Sequence, residues 1–277
     1  MKLKQITGLA RLLDPRFPTN LAILAMTAAV GASGFIEQLI SGSSFLEAVG
    51  WGLTLGFLTI TTWAIGRELD PDNELSAFVG VPLFLMSLLF YDFYVIWPTL
   101  LVIVALRIVN RSNGLTATWL DSTALTIFAG WLVGSTGHWE YGAAAALAFL
   151  LDAFLPVPSR RQFLFAVVMV LIILFWQLTT VVDRAVGLPF PMAEWIVAGV
   201  TAVLFTTLIV LRSNQIRSLG DATRLPLIPQ RVQAGQLLAL VTGLLLLWQG
   251  ADRLVALWSA MLGTSLYRIY IITRGKI

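Results

Sequence analysis

The chain has 277 residues, of which 58% are hydrophobic and only 12% charged, whereas a soluble domain needs roughly a quarter of its residues charged to cover its surface. This composition excludes a soluble globular protein. Because the chain has no cysteine and a single histidine, His138, it also lacks the ligands for a bis-histidine haem, an iron–sulfur cluster or a thiolate zinc site.

The first residues combine basic and apolar side chains. Basic residues precede an apolar run and small residues follow it, as in a signal peptide, but the long basic stretch favours an uncleaved first membrane helix. Leucine and isoleucine recur at helical spacing up to Asp14 and Pro15. We therefore predict a short interfacial amphipathic helix within residues 1–19, followed by a single transmembrane bundle domain over residues 20–277.

Ten apolar runs follow one another along the chain, each bounded by charged or turn residues. They cover residues 20–40, 45–66, 76–90, 92–109, 117–135, 142–156, 162–182, 192–211, 232–250 and 253–272. A helix needs roughly 20 residues to cross the hydrocarbon core, so the runs over 76–90 and 142–156 are short enough to be tilted spans, half-helices or re-entrant segments. We predict an all-α, polytopic membrane protein with about ten spans, within a range of eight to ten.

The basic residues fix the predicted orientation. With ten alternating spans, all 18 lysine and arginine residues except Arg184 and Arg253 fall on one side of the membrane. Loops rich in lysine and arginine stay in the cytoplasm, so both termini are predicted to be cytoplasmic and the protein to be a multi-pass protein of the cytoplasmic (inner) membrane.

Four carboxylates lie close together after the second run: Glu68, Asp70, Asp72 and Glu74. Asp70 and Asp72 are two residues apart and are the candidate ligands for Mg²⁺, which often binds one or two carboxylates and completes its shell with a phosphate. The alternative is a solvated turn, in which Pro71 ends the helix and the acids neutralise nearby arginines.

Pairs of arginines on the same side are the candidate phosphate-binding residues: Arg107, Arg111, Arg160 and Arg161. A guanidinium group offers paired donors that match phosphate oxygens, and asparagine and glycine after Arg111 suit close backbone approach. The alternative is topological, because arginines at helix ends orient any membrane protein and bind anionic lipids.

Three functions fit these patterns. The first is a cytoplasmic-face site for a phosphate-bearing lipid or an isoprenoid-like substrate, with Mg²⁺ as its cofactor. The second is a non-catalytic subunit of a larger membrane complex, and the third is a small-solute carrier or permease with a cavity at mid-depth. No general base is recognisable, so the sequence leaves open whether the protein is an enzyme. The expected partners are membrane lipids and membrane-protein subunits rather than nucleic acid, for which a net charge of +3 is a weak indication.

Overall fold

The computed structural model describes residues 6–10, 13–90, 95–179, 190–251 and 253–275. Within these ranges it is all-helical and contains no β-strand. The α-helices are α1 (Pro18–Ile40), α2 (Phe45–Leu69), α3 (Ser76–Ser87), α4 (Ile96–Asn110), α5 (Trp119–Thr136), α6 (Glu140–Phe154), α7 (Gln162–Thr179), α8 (Met192–Leu208), α9 (Pro229–Trp248) and α10 (Val255–Thr273). A 3-10 helix, Val210–Gln215, follows α8. The junction between the third and fourth apolar runs, at residues 91–94, and Arg184 lie outside the described residues.

Six of the described helices are long and apolar enough to cross a membrane: α1, α2, α7, α9, α10, and α8 together with the 3-10 helix. The chain is therefore a multi-pass helical membrane protein, as its composition predicts. Helices α3 and α4 are apolar but shorter, with 12 and 15 residues. That all ten helices cross the membrane stays a prediction.

Burial separates central helices from peripheral ones. In the most apolar window of each helix, 56% of the residues of α2 and 61% of those of α9 are buried, against 11% in α1, 22% in α7 and 28% in α8. A helix that is apolar all round but little buried inside a membrane protein exposes that surface to lipid. Helices α1, α7 and α8 therefore form the perimeter, and α2 and α9 lie in the core.

Local signals in the sequence set several helix ends. Ser44 accepts a hydrogen bond from the backbone of Glu47, whose carboxylate accepts from the backbone of Ser44, so that α2 begins with a complete capping box. Thr118 and Asp121 form the same arrangement at the start of α5. Gly137 ends α5 in the left-handed conformation, with φ of 73°, which glycine adopts without steric cost.

Glycines allow two helix pairs to approach closely. A Cβ atom on Gly31 of α1 would lie 3.0 Å from the carbonyl oxygen of Gly52 in α2, and one on Gly80 of α3 would lie 3.0 Å from Cα of Ala260 in α10. Gly263 faces the same part of α3. Small residues at such crossings let helix backbones pack closely. Close packing helps helices to associate inside a bilayer, where lipid tails are as apolar as the side chains and the hydrophobic effect does not drive association.

The N-terminal segment lies against the start of α5. The backbone N–H of Gly8 donates to Asp121 at 2.9 Å, and the Asn113 side chain donates to the carbonyl oxygen of Ala10 at 2.8 Å. Residues 6–10 and 13–17 form turns and bends up to Pro18, with no helix in these described ranges. The interfacial helix predicted within residues 1–19 otherwise falls on residues outside the described ranges, and its membrane location stays a prediction.

One end of the bundle collects most of the arginines, and we call it the arginine-rich end. Successive described helices run in opposite directions. At this end, the even-numbered helices finish and the odd-numbered helices begin, so that their last and first turns lie side by side. The Gln236 side chain at the start of α9 donates to the Leu69 carbonyl oxygen at the end of α2, at 2.7 Å. Arg253 lies at the opposite end and pairs with Glu194 at 3.0 Å.

Candidate functional site

Glu68 organises one buried polar cluster at the arginine-rich end. Its side chain is 1% exposed and accepts hydrogen bonds from Arg107 at 3.3 Å, Ser112 at 2.8 Å and Asn110 at 3.2 Å. Asn110 also donates to the backbone carbonyl of Glu68 at 3.0 Å. A buried charge is costly unless it is paired and hydrogen-bonded, so this cluster fixes the end of α2 against the end of α4.

Asp152 organises a second cluster and has two arginine partners. Arg111 donates to its carboxylate at 2.8 Å and Arg231 at 2.6 Å. Arg231, which is 1% exposed, also donates to the carbonyl oxygens of Val109 at 3.0 Å and Pro156 at 2.8 Å. These bonds tie α4, α6 and α9 together, and they leave the cluster with one more guanidinium than carboxylate.

The four predicted phosphate-binding arginines therefore lie in different environments. Arg107 and Arg111 pair with different buried carboxylates, as described above. Arg161 donates to the Ala117 carbonyl oxygen and lies over the Trp119 ring, 5.5 Å from its centroid, whereas Arg160 is exposed. The structure does not gather the four around one space, and their role in phosphate binding stays a prediction.

A groove of about 920 Å³ opens at the arginine-rich end between the α2–α3 turn, the 3-10 helix and the last turns of α10. Its lining includes the basic residues Arg212, Arg217 and Arg268. Among the described residues, no carboxylate lies within 4.0 Å of any of these three guanidinium groups. Arg268 Nε is buried and has no acceptor in the part of the chain that the structure describes.

The same groove contains both predicted metal ligands. Asp70 is 8% exposed and accepts two hydrogen bonds from Asn73, at 2.9 and 3.1 Å, yet burial raises the pKa of its carboxyl above the ordinary range. Asp72 is exposed and accepts from Ser218 Oγ at 2.6 Å and from the backbone N–H groups of Ser218 and Arg217, at 2.9 and 3.1 Å. Asp72 thereby holds the segment after the 3-10 helix against the α2–α3 turn.

The structure places Asp70 and Asp72 in one groove, but it does not test the prediction that they bind a metal ion. Within the described ranges, no three histidine, aspartate or glutamate side chains converge on one point as metal ligands. A site built on Asp70 and Asp72 would therefore need its remaining ligands from water or from a bound phosphate, the arrangement that Mg²⁺ commonly adopts.

Sequence reasoning overlooked Arg268, because it lies within the last apolar run and served only to orient the chain. Its position could have revealed it, because the last apolar run is predicted to end on the same side of the membrane as Asp70. Arg212 and Arg217 were among the basic residues that orient the chain, but the sequence did not show that α10 completes a groove with them.

Cavities relevant to the carrier alternative lie near the ends of the bundle. One of about 310 Å³ lies at the arginine-rich end beside the N-terminal segment, and one of about 250 Å³ lies at the opposite end beside Arg253. The peripheral helices α1, α7 and α8 expose apolar surface that either lipid or a partner subunit would cover. The carrier and subunit functions stay predictions.

No known protein family, curated protein or solved structure matches the chain. The helices define a multi-pass membrane protein, and any function has to be inferred from the groove and its surroundings.

Proposed function

We propose that the protein binds the phosphate-bearing headgroup of a membrane lipid in the groove at the arginine-rich end, on the cytoplasmic face of the membrane. The observation that carries this proposal is that three arginines, Arg212, Arg217 and Arg268, line one groove and that no carboxylate among the described residues lies within 4.0 Å of them, although the charge of Arg268 acts on Asp70. Guanidinium groups bind phosphate through paired, charge-assisted hydrogen bonds, and those of Arg107 and Arg111 already have carboxylate partners.

The apolar lining of the groove supports a lipid as the ligand. Leu208, Leu211 and Ile271 line it beside the arginines, and Leu211 is 64% exposed. Helix α8 lies at the perimeter of the bundle, so a headgroup in the groove leaves its acyl or isoprenoid chains free to lie along α8. A soluble phosphate compound would not cover these leucine and isoleucine side chains and would lack the gain of about 25 cal/mol per Å² of apolar surface buried.

The orientation of the groove follows from the distribution of charge. Apart from Arg253, the described arginines lie at the arginine-rich end, and basic helix ends face the cytoplasm in multi-pass membrane proteins. The cytoplasmic leaflet carries anionic lipids, which an exposed basic groove attracts by about 1 kcal/mol for each arginine near the surface. In this orientation the groove lies at the headgroup level of the inner leaflet.

Asp70 and Asp72 give the proposed site a place for Mg²⁺. Both line the groove beside the arginines, and a Mg²⁺ ion held by two carboxylates recruits phosphate oxygens into its shell. To bind the ion, Asp72 would exchange its hydrogen bonds with Ser218 for metal contacts. The proposal concerns binding and includes no reaction.

Native mass spectrometry of the protein extracted gently from its membrane tests the proposal. We expect bound phospholipid on the wild type and its loss in the variant Arg212→Gln, Arg217→Gln, Arg268→Gln. The matched control, Arg16→Gln, Arg224→Gln, Arg274→Gln, removes three exposed arginines that do not line the groove and lie at the same end. Equal loss of lipid from the two triple variants would show that general positive charge, and not the groove, binds the lipid, and full retention by the groove variant would overturn the proposal.

A further inference from the structure

We propose that the groove selects a headgroup that ends in a terminal phosphate, a phosphomonoester or a diphosphate, over a phosphodiester headgroup. This inference rests on the proposed function and names the class of lipid that the same site takes. The observation behind it is that Arg212, Arg217 and Arg268 all line one groove of about 920 Å³.

The number of arginines in the groove matches the number of unesterified oxygens in a terminal phosphate. Each guanidinium presents a planar fork of N–H donors that pairs with two phosphate oxygens. A terminal phosphate has three unesterified oxygens and accepts from three forks, because neighbouring forks share an oxygen. A phosphodiester has two such oxygens and carries a substituent where the third would be. One arginine would then face an ester oxygen or solvent, and a charge-assisted hydrogen bond would be lost.

The charges in the groove point to the same class. The lining contains three arginines and the two aspartates Asp70 and Asp72, which gives a surplus of one positive charge when both carboxyls are ionised. A Mg²⁺ ion on the aspartates would raise that surplus to three. A phosphodiester brings one negative charge, whereas a phosphomonoester brings about two near pH 8 and a diphosphate brings more. The groove with its ion is therefore neutralised more completely by the terminal phosphates.

The large volume and the apolar flank distinguish a lipid from a small phosphate compound. A single phosphate group fills only part of about 920 Å³, and Leu208 and Leu211 are among the residues that line the groove on the side of α8. The ligand class is thus an amphiphile with a terminal phosphate, and glycerol 3-phosphate serves as the probe that has the phosphate without the chains.

The experiment is a competition on the full chain, purified in detergent at pH 8 with Mg²⁺ and followed by native mass spectrometry. The probes are a diacylglycerol phosphate, a phosphatidylglycerol with the same acyl chains, and glycerol 3-phosphate. We expect the diacylglycerol phosphate to bind at least about tenfold more tightly than the phosphatidylglycerol, the factor set by one charge-assisted hydrogen bond. Glycerol 3-phosphate is expected to bind more weakly than either lipid.

Two variants separate the groove from the rest of the surface. Arg268→Lys keeps the charge and removes the fork, so the preference for the diacylglycerol phosphate should fall towards unity while binding of both lipids persists. Arg16→Gln, at an exposed arginine outside the groove, should leave the preference unchanged. Unchanged thermal unfolding of both variants shows that they remain folded.

The outcomes distinguish this inference from the proposed function. Equal affinity for the two lipids, each lost on substitution of the groove arginines, would overturn the preference and leave the lipid site in place. Lipid binding that does not change when those arginines are substituted would overturn both the preference and the proposed lipid site. Glycerol 3-phosphate binding as tightly as the diacylglycerol phosphate would overturn the lipid class for this site.

Discussion

Replacing Asp152 by asparagine is expected to destabilise the protein strongly, because Asp152 is the shared counter-charge of Arg111 and Arg231. The substitution keeps the shape of the side chain and removes its charge, which leaves two buried guanidinium groups without a carboxylate. Removing one partner of a buried ion pair costs about 3–5 kcal/mol. Arg111→Gln should cost less, about 1.5–3 kcal/mol, since it removes charge-assisted hydrogen bonds and leaves Asp152 and Arg231 as a neutral pair.

The assay is unfolding by sodium dodecyl sulfate from mild detergent micelles, followed by the fluorescence of the ten tryptophans. Glu37→Gln, at an exposed carboxylate on α1, is the matched control and should change the free energy of unfolding by less than about 0.5 kcal/mol. The reasoning would be refuted if Asp152→Asn cost no more than Arg111→Gln, because the order of the two variants follows directly from the surplus guanidinium in the cluster.

Two further predictions concern packing and pH. Gly263→Ala should lower the free energy of unfolding by about 1–3 kcal/mol, because its Cβ would lie 2.8 Å from a backbone carbon of α3. Gly199→Ala, where a Cβ meets open space, should be neutral in the same assay, and equal effects would contradict the close α3–α10 contact. Because burial raises the pKa of Asp70, the stability that its proton supplies is present below the ordinary aspartate pKa and lost as pH rises through the raised value. The variant Asp70→Asn should therefore gain on the wild type between pH 4 and pH 8 in unfolding experiments, and a constant difference across that range would count against a raised pKa.

Helix positions were predictable from the sequence because each apolar run is bounded by charged or turn residues. The run over 76–90 corresponds to α3, Ser76–Ser87, and the run over 142–156 corresponds to α6, Glu140–Phe154. Both are short in the structure, as the sequence predicts. Length and hydropathy reveal a helix, but whether a short helix crosses the bilayer depends on its neighbours and its tilt, which no single run encodes.

The partners of the buried charges were not predictable. Arg231 lies 79 residues after Asp152, and no periodicity indicates that α9 packs against both α4 and α6. Arginine beside asparagine and glycine is the same pattern whether the guanidinium meets a phosphate or a carboxylate from another helix. The sequence therefore predicted phosphate binding at Arg107 and Arg111, whereas the fold gives these two residues Glu68 and Asp152 as partners.

The pairing of Asp152 with two arginines has a consequence for the order in which the helices pack. Arg111 precedes Asp152 by 41 residues, and Arg231 follows it by 79. If the helices pack in chain order, Asp152 finds a counter-charge in Arg111 when α6 packs against α4, before Arg231 has been synthesised. On that order, Arg231 would then bind a carboxylate that is already paired, when α9 packs against α4 and α6.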